Sequence, residues 1–207
     1  MAGYDKPDFW AQKAQDEGYP ARSVYKLKEL DEKFTLLKNP HNGGKPFRVL
    51  DLGAAPGSWS LYMLRRSKNT ILTAIDLSPL SRVYDKGLFE SMNFIFIQGD
   101  MLDADNRETI LYGGPYDLVL SDAAPSTSGN RSLDTLRSLE LAETALDYAK
   151  SASAPGANLV VKVFQGGDTS EFIRSVRKVF NKTKSFKPQA CRPDSFEVYI
   201  IGLDKSG

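Results

Sequence analysis

The sequence predicts an α/β fold in which a mostly parallel sheet is covered by helices on both faces. From residue 48 onward, strand-like apolar segments alternate with helix-like segments. The strand-like segments are almost continuously apolar, which is typical of strands buried on both faces of a sheet. With 207 residues, the chain is long enough to form one domain with a substantial core.

The strand-like segments combine aliphatic, β-branched and aromatic residues and are bounded by turn-forming residues. They comprise 48–53, 71–77, 94–99, 116–121, 157–164, 183–188 and 197–203. The segment 183–188 carries the weakest signal of the set.

Helix-like segments lie between the strands, at 58–67, 81–91, 104–112, 133–153 and 168–181. The fourth has the clearest helical spacing, with apolar residues such as Leu139 and Leu146 on one face, and Pro155 follows its end. We expect Asp168 or Thr169 to cap the last helix.

Residues 1–47 differ from the rest of the chain because they are polar and contain no strand-like segment. Two short helices are expected, with an apolar face formed by Phe9, Trp10, Tyr25, Leu27, Leu30 and Phe34. Aromatic Tyr19 and Tyr25 are interleaved with basic Lys13, Arg22, Lys26 and Lys28. This pattern fits either a solvated amphipathic face or a binding surface. We predict a helical extension over 1–47, ending in the loop 40–46, that packs on a domain formed by 48–207.

Composition excludes several classes of protein. The 27 basic and 26 acidic residues nearly balance, so net charge identifies no partner. With one cysteine, Cys191, and one histidine, His41, the chain cannot form an internal disulfide, and a His/Cys zinc site is disfavoured. No apolar run approaches the ~20 residues that span a bilayer, and the first residues lack the apolar core of a signal peptide. We expect a protein without membrane contact, in the cytoplasm or in an organelle.

Charged residues follow the predicted strands at the points where those strands end. Asp76, Asp100 and Asp122 follow three of them, and Lys162 lies near the end of another, while the first strand ends at Gly53. Each aspartate taken alone is equally explained as a helix N-cap. Together they are expected to meet at one edge of the sheet, because ligands of such folds bind at the carboxyl ends of the strands.

The turn after the first strand indicates the class of ligand. Gly53 and Gly57 lack a Cβ and would let a ligand approach the backbone closely, although an ordinary strand-to-helix turn explains them as well. Ala55 stands where a dinucleotide-binding loop has its second glycine, and no P-loop motif is present. Asp76 is placed to accept hydrogen bonds from ribose hydroxyls, and Asp100 to contact an adenine amino group. A nucleoside ligand without a pyrophosphate fits best, which indicates S-adenosylmethionine.

Lys162 lies in the apolar segment 159–164, where a buried ammonium group is costly unless it is paired. Either its head extends into water from the strand end, or it holds or removes a proton in a reaction.

The chain resembles the RrmJ/FtsJ family of ribosomal RNA 2′-O-ribose methyltransferases over nearly its whole length. The segments that carry the resemblance are 18–30, 51–60, 121–125 with Ser128 and Gly129, 160–166 and 197–200. The resemblance implies a Rossmann-like methyltransferase fold, with a mostly parallel seven-stranded sheet and an antiparallel last strand.

The family uses a Lys-Asp-Lys-Glu tetrad, and the matching positions are Lys26, Asp122, Lys162 and Glu197. The resemblance implies that Lys162 is the general base or holds the deprotonated ribose oxygen, and that Asp122 orients it near the methyl donor. Lys26 would stabilise the developing oxyanion. Glu197 would fix the substrate hydroxyl or the lysine.

The residues expected to contact the cofactor surround the glycine turn and the ends of the strands. They are Gly53, Ala54, Pro56, Gly57, Trp59, Asp76, Leu77, Asp100, Met101 and Asp122. The reaction would be a direct displacement that releases S-adenosylhomocysteine. It needs no metal, because the positive sulfur already activates the methyl group.

The implied substrate is RNA, most specifically ribosomal RNA of the large subunit, and the implied state is a monomer. Two basic sets could contact phosphates. One is Arg174, Arg177, Lys178, Lys182, Lys184, Lys187 and Arg192; the other is Arg65, Arg66, Lys68, Arg82 and Lys86. Phe196 stands where the family often has a basic residue. The alternatives are a tRNA or mRNA-cap substrate, an RNA-binding relative without catalysis, and a nicotinamide dehydrogenase.

Overall fold

The computed structural model describes residues 8–41, 44–166 and 169–207. Its strands are β1 (Phe47–Leu52), β2 (Thr70–Asp76), β3 (Phe94–Gln98), β4 (Tyr116–Ser121), β5 (Ser153–Phe164), β6 (Phe180–Phe186) and β7 (Glu197–Lys205). Its α-helices are α1 (Phe9–Asp16), α2 (Val24–Phe34), α3 (Ser58–Arg66), α4 (Ala104–Tyr112), α5 (Arg131–Ala152) and α6 (Thr169–Arg177).

The strands form one seven-stranded sheet in the order β3-β2-β1-β4-β5-β7-β6. The first five are parallel to one another, whereas β7 runs antiparallel to both β5 and β6. The predicted fold class is therefore confirmed, including the antiparallel last strand. The order reverses between β1 and β4, so the carboxyl ends of these strands border a crevice where ligands bind in such folds.

Alternate residues of the strands enter two separate apolar cores, one on each face of the sheet. Val49 belongs to the core beneath α1, α2 and α3, and the adjacent Leu50 to the core beneath α5 and α6. Leu27 and Leu30 of α2 are fully buried in the first core. Of the predicted apolar face, Phe9 is 68% exposed and does not belong to this core. The boundary between extension and domain at residue 47 stays a prediction.

The helix predicted at 81–91 is wrong. The structure has an irregular loop there, with a single 3-10 turn over Leu88–Glu90. Two consecutive positive φ angles, at Lys86 and Gly87, break any helix, and Arg65 donates a hydrogen bond of 2.9 Å to the carbonyl of Tyr84. Tertiary contacts thus hold this loop in a shape that its apolar spacing does not indicate.

The remaining differences lie at element ends. β5 begins at Ser153, directly after α5, and includes Pro155, which was expected to precede the strand. α6 ends at Arg177 and β6 begins at Phe180, so the weakest predicted strand is real but starts earlier than 183. Thr169 is the first residue of α6, and its hydroxyl donates to the Gly166 carbonyl. Asp168 and residues 42–43 of the predicted loop lie outside the described residues.

Candidate active site

Two clefts open at the carboxyl edge of the sheet. The first cleft has a volume of about 140 Å³ and is lined by Gly53, Ile75, Asp76, Leu77, Gly99, Asp100, Met101, Ala123, Ala124 and Leu141. The second is larger, about 420 Å³, and is lined by Ala21, Arg22, Ser23, Lys26, Ala124, Thr127, Lys162, Phe164, Arg192, Asp194, Ser195, Phe196 and Glu197. Ala124, two residues after Asp122, borders both clefts, so they meet beside the end of β4.

Asp76 fixes the shape of the first cleft. One carboxylate oxygen accepts a hydrogen bond of 2.9 Å from the Ala55 amide, and the other accepts one of 2.8 Å from the Ser78 amide. The carboxylate thereby ties the turn after β1 to the end of β2. Each oxygen keeps a second lone pair that can accept from a ligand hydroxyl.

Asp100 is held by a similar turn after β3. Its Oδ1 accepts a hydrogen bond of 2.9 Å from the Leu102 amide, and its Oδ2 has no protein donor among the described residues. The walls between the two aspartates are apolar, with Ile75, Leu77 and Met101. A flat heterocycle between two carboxylates fits this arrangement.

The two glycines of the turn are explained by packing within the protein. Gly53 has φ +74°, and a Cβ there would lie 2.6 Å from Cα of Ala123. Gly57 has φ +103°, and a Cβ there would lie 2.8 Å from the ring of Phe89. Neighbouring protein atoms are therefore sufficient to account for the missing side chains, and a close approach of a ligand to these glycines stays a prediction.

Five of the residues expected to contact a cofactor line the first cleft, namely Gly53, Asp76, Leu77, Asp100 and Met101. The other five, Ala54, Pro56, Gly57, Trp59 and Asp122, do not line it. The Trp59 side chain is only 3% exposed, and its Nε1 donates a hydrogen bond of 2.8 Å to the Ser23 carbonyl. Its side chain thus connects α3 to the segment before α2.

The structure brings the four expected tetrad residues together at the second cleft. Lys162 Nζ lies 3.1 Å from Asp122 Oδ1 and donates a hydrogen bond of 2.5 Å to the Asp122 carbonyl. Lys26 Nζ lies 2.8 Å from Glu197 Oε1. The four side chains are between 7% and 16% exposed, so two ammonium groups and two carboxylates compensate one another where water is scarce.

The pKa values follow from this pairing. Burial alone would raise the pKa of Asp122, but the ammonium groups of Lys162 and Lys26 outweigh it and hold that pKa below its usual value. Burial alone would lower the pKa of Lys26, but the carboxylates of Asp122 and Glu197 outweigh it and raise that pKa. Asp122 and Lys26 are therefore both charged at neutral pH.

The register between β5 and β7 explains how distant residues meet. Lys162 pairs with Tyr199, and Phe164 pairs with Glu197. Residues two apart on a strand share a face, and so do paired residues. The side chains of these two pairs therefore lie on one face of the sheet. Lys26 reaches that face from α2, which packs above it.

Tyr199 is a member of the site to which the sequence interpretation gave no role. It is fully buried, and its hydroxyl donates a hydrogen bond of 2.6 Å to Asp122 Oδ1, the oxygen that also faces Lys162. Lys26 Nζ lies 5.9 Å from the centre of its ring. Its position two residues after Glu197, on the same strand face, was the signal that could have revealed it.

Most residues of the two expected basic sets lie away from the clefts. Only Arg192 of the first set lines the second cleft, whereas the others belong to α6, β6 and their flanks near the sheet edge. In the second set, Arg66 pairs with Asp31 and Arg82 with Asp85, which indicates structural roles. In the N-terminal segment, Arg22 and Lys26 line the second cleft.

Within the described ranges, no group of three or more His, Cys, Asp or Glu side chains could hold a metal ion. No described helix is long and apolar enough to cross a membrane.

Comparison with known proteins gives concordant matches. The model of the FtsJ-like methyltransferase family matches residues 19–205. A ribosomal RNA large subunit methyltransferase E from Treponema denticola is 50% identical over 206 residues, which cover 99% of this chain and 98% of that protein. A protein of the same name from Borrelia garinii subsp. bavariensis is 41% identical over 199 residues, which cover 96% of this chain and 97% of that protein.

Solved structures agree in fold. A protein described as a ribosomal RNA methyltransferase from Plasmodium falciparum superposes with a TM-score of 0.73 at 28% identity, covering 91% of this chain and 100% of that one. Human methyltransferase-like protein 13, solved in complex with SAH, superposes with a TM-score of 0.56 at 13% identity. The match covers 86% of this chain and 82% of that one. The second likeness concerns the fold alone.

Proposed function

The chain belongs to the FtsJ-like methyltransferase family, and on this premise we propose that it transfers a methyl group from S-adenosylmethionine to a ribose 2′-hydroxyl of large-subunit ribosomal RNA. One observation carries the proposal: Lys162, Lys26 and Glu197 line the second cleft, and the carboxylate that pairs with Lys162 belongs to Asp122, two residues before Ala124, which borders both clefts. A donor in one cleft and a ribose in the other would react at this boundary.

The first cleft fits the nucleoside part of the donor. Asp76 keeps lone pairs for ribose hydroxyls, Asp100 Oδ2 is available to an adenine amino group, and the apolar walls suit the base. When bound, S-adenosylmethionine supplies a methyl group on a positively charged sulfur.

Lys162 is proposed to act on the 2′-hydroxyl. The Asp122 carbonyl and carboxylate fix its Nζ at the boundary of the clefts. After its ammonium group has released a proton to the solvent, Nζ takes the hydroxyl proton as the oxygen bonds to the methyl carbon and the sulfur–methyl bond breaks. The proton thus ends on Lys162, and fixing the amine in place removes much of the entropic cost.

The other tetrad members are proposed to position Lys162 and to balance the charges at the site. Asp122 orients Lys162 and is itself held by Tyr199. Lys26 stays cationic and favours negative charge on the ribose oxygen. Glu197 holds the Lys26 ammonium in place and can accept a hydrogen bond from the substrate.

The substrate is tested by incubating the protein with radiolabelled donor and separate pools of large ribosomal subunits, small subunits, tRNA and capped mRNA. We expect label in large-subunit RNA, on ribose 2′-oxygens after nuclease digestion. Label confined to tRNA or to capped mRNA would select an alternative substrate. Binding of RNA without transfer would select the relative without catalysis. Given the bacterial relatives, we also propose a cytoplasmic location. Action as a monomer stays a prediction from the sequence.

The base is tested with Lys162→Arg, which keeps the positive charge but cannot accept a proton at neutral pH. We expect the rate of transfer to fall by at least about a hundredfold, with S-adenosylhomocysteine affinity in calorimetry nearly unchanged. Lys150→Arg, at an exposed position on α5, is the matched control. Normal transfer by Lys162→Arg would show that Lys162 holds the oxygen as an ammonium group and is not the base.

A further inference from the structure

A half-buried aromatic side chain borders the second cleft beside the tetrad. Phe196 immediately precedes Glu197, and its main-chain carbonyl accepts a hydrogen bond of 2.8 Å from the Gln165 amide. Its ring centre lies 4.6 Å from that of Phe164, at an interplanar angle of 58°. The backbone bond and the packing on Phe164 hold the Phe196 ring in one place at the wall of the cleft.

A cation lies over this ring. The guanidinium carbon of Arg131, at the start of α5, is 4.9 Å from the centre of the Phe196 ring. Arg131 is exposed and forms no ion pair with any residue that the structure describes. It also lines a neighbouring groove with Thr135 and Gln165. Phe196 and Arg131 therefore form a ridge between the second cleft and that groove.

The chemistry of the surroundings favours a nucleic acid strand over an apolar partner. The cleft that Phe196 borders is lined by four basic side chains, Arg22, Lys26, Lys162 and Arg192, and by two acidic ones, Asp194 and Glu197. Although Lys26 and Lys162 are paired with carboxylates, the cleft presents more cationic than anionic groups to a phosphate. An aromatic ring and a guanidinium group are the two surfaces on which unpaired bases stack. A strand whose target ribose reaches Lys162 must pass beside this ridge or on the opposite side of the cleft.

We propose that Phe196 and Arg131 form a stacking platform for the base of a nucleotide adjacent to the methylated one. The inference rests on the proposed function, because it takes the second cleft to hold single-stranded RNA. Phe196 supplies a π face, and Arg131 supplies a second stacking surface together with a charge for the adjoining phosphate. Since every base has a π face, the platform would favour unpaired RNA without selecting a sequence.

The experiment separates stacking from packing by comparing Phe196→Leu with Phe196→Tyr. Leucine keeps an apolar contact on Phe164 but removes the ring, whereas tyrosine keeps the ring. Phe186→Leu is the matched control, because Phe186 also has a cation over its ring, Lys33 Nζ at 4.1 Å, but lines neither cleft. Binding is measured with a single-stranded RNA of about ten nucleotides that carries the fluorescent base 2-aminopurine.

We expect Phe196→Leu to weaken RNA binding by about 5- to 150-fold and to abolish the quenching of 2-aminopurine. Phe196→Tyr and Phe186→Leu should bind like the unaltered protein, and S-adenosylhomocysteine affinity should be the same in all variants. Arg131→Gln should reduce the slope of log affinity against log salt by about one. Equal RNA affinity and quenching in Phe196→Leu and Phe196→Tyr would overturn the platform, and an unchanged salt slope would remove Arg131 from it.

Failure of this inference is distinguishable from failure of the proposed function. If the unaltered protein methylates large-subunit RNA while Phe196→Leu matches it in KM and in quenching, only the platform is wrong. If the unaltered protein methylates no RNA, the proposed function fails, whatever the binding of the Phe196 variants shows.

Discussion

Asp51, at the end of β1, offers a test of how burial controls ionisation beneath the first cleft. Its side chain is 1% exposed, and only Oδ2 has a protein partner, a hydrogen bond of 2.6 Å from the Ser60 hydroxyl. Burial raises the pKa of Asp51 to about 7, and the negative charges of Asp122 and Asp76 add to this effect, while the Ser60 bond opposes it. We therefore predict that Asp51→Asn changes how stability depends on pH.

The sign follows from the protons bound in each state. In the unfolded chain Asp51 loses its proton near pH 3.8, whereas in the folded protein it keeps the proton up to about pH 7. Between these values the unfolded state binds fewer protons, so the free energy of unfolding falls as the pH rises. At about 1.4 kcal/mol for each pH unit, the fall attributable to Asp51 is about 4 kcal/mol across that window. This fall is complete once the pH exceeds the pKa of Asp51 in the folded protein, about 7.

Urea unfolding at a series of pH values measures this difference. Because asparagine is uncharged at every pH, the stability of Asp51→Asn minus that of the unaltered protein should increase by about 4 kcal/mol from about pH 4 to above pH 7. Subtraction removes the contribution of all other titrating groups. Ser60→Ala, which removes the bond that lowers the pKa of Asp51, should extend the window to higher pH. A difference that stays constant over the whole range would refute the reasoning.

Two further predictions concern contacts that support the site. Tyr199→Phe removes the hydrogen bond to the Asp122 carboxylate and should lower the free energy of unfolding in urea by about 2 kcal/mol. The control Tyr116→Phe removes a hydrogen bond to a neutral carbonyl and should lower the free energy of unfolding by about 1 kcal/mol. Equal losses of stability in the two variants would contradict the idea that the charge of the Asp122 carboxylate strengthens its bond to Tyr199. The amides of 189–190 donate hydrogen bonds of 2.7 and 2.8 Å to the two different carboxylate oxygens of Glu29. Glu29→Gln keeps only one acceptor oxygen, so one of these bonds is lost and the amides should exchange with deuterium faster. Unchanged exchange would show that other contacts hold the segment.

The fold was predictable because most of its strands are almost continuously apolar, β6 being the exception. The segment 116–121 coincides with β4, and the segments for β1, β2 and β3 differ from the structure by one residue at each end at most. The prediction failed where local pattern and tertiary contact disagree, as in the loop at 81–91. The positive φ angles at Lys86 and Gly87 depend on how that loop packs, and apolar spacing contains no information about them.

The site was predictable in part, for a topological reason. In a parallel sheet the carboxyl ends of the strands lie on one edge, so Asp76, Asp100 and Asp122 were expected there from their positions after strands. The sequence could not reveal that Trp59 is buried against the N-terminal segment, because burial of a ring depends on elements that are distant in the chain. The assignment of roles to individual residues stays a prediction.

Two of the four tetrad residues, Lys26 and Glu197, do not follow the carboxyl end of a parallel strand, and the antiparallel direction of β7 explains the position of Glu197. The amino end of β7, and not its carboxyl end, lies on the edge that holds the clefts, so Glu197 reaches this edge as the first residue of its strand. Lys26 comes from a helix outside the sheet order altogether. The two members from parallel strands, Asp122 and Lys162, pair with each other, and the two from irregular positions, Lys26 and Glu197, likewise pair. Since each pair contains one cation and one anion, either pair alone is compensated. The second pair can therefore add a fixed positive charge beside the first without leaving a buried charge unpaired.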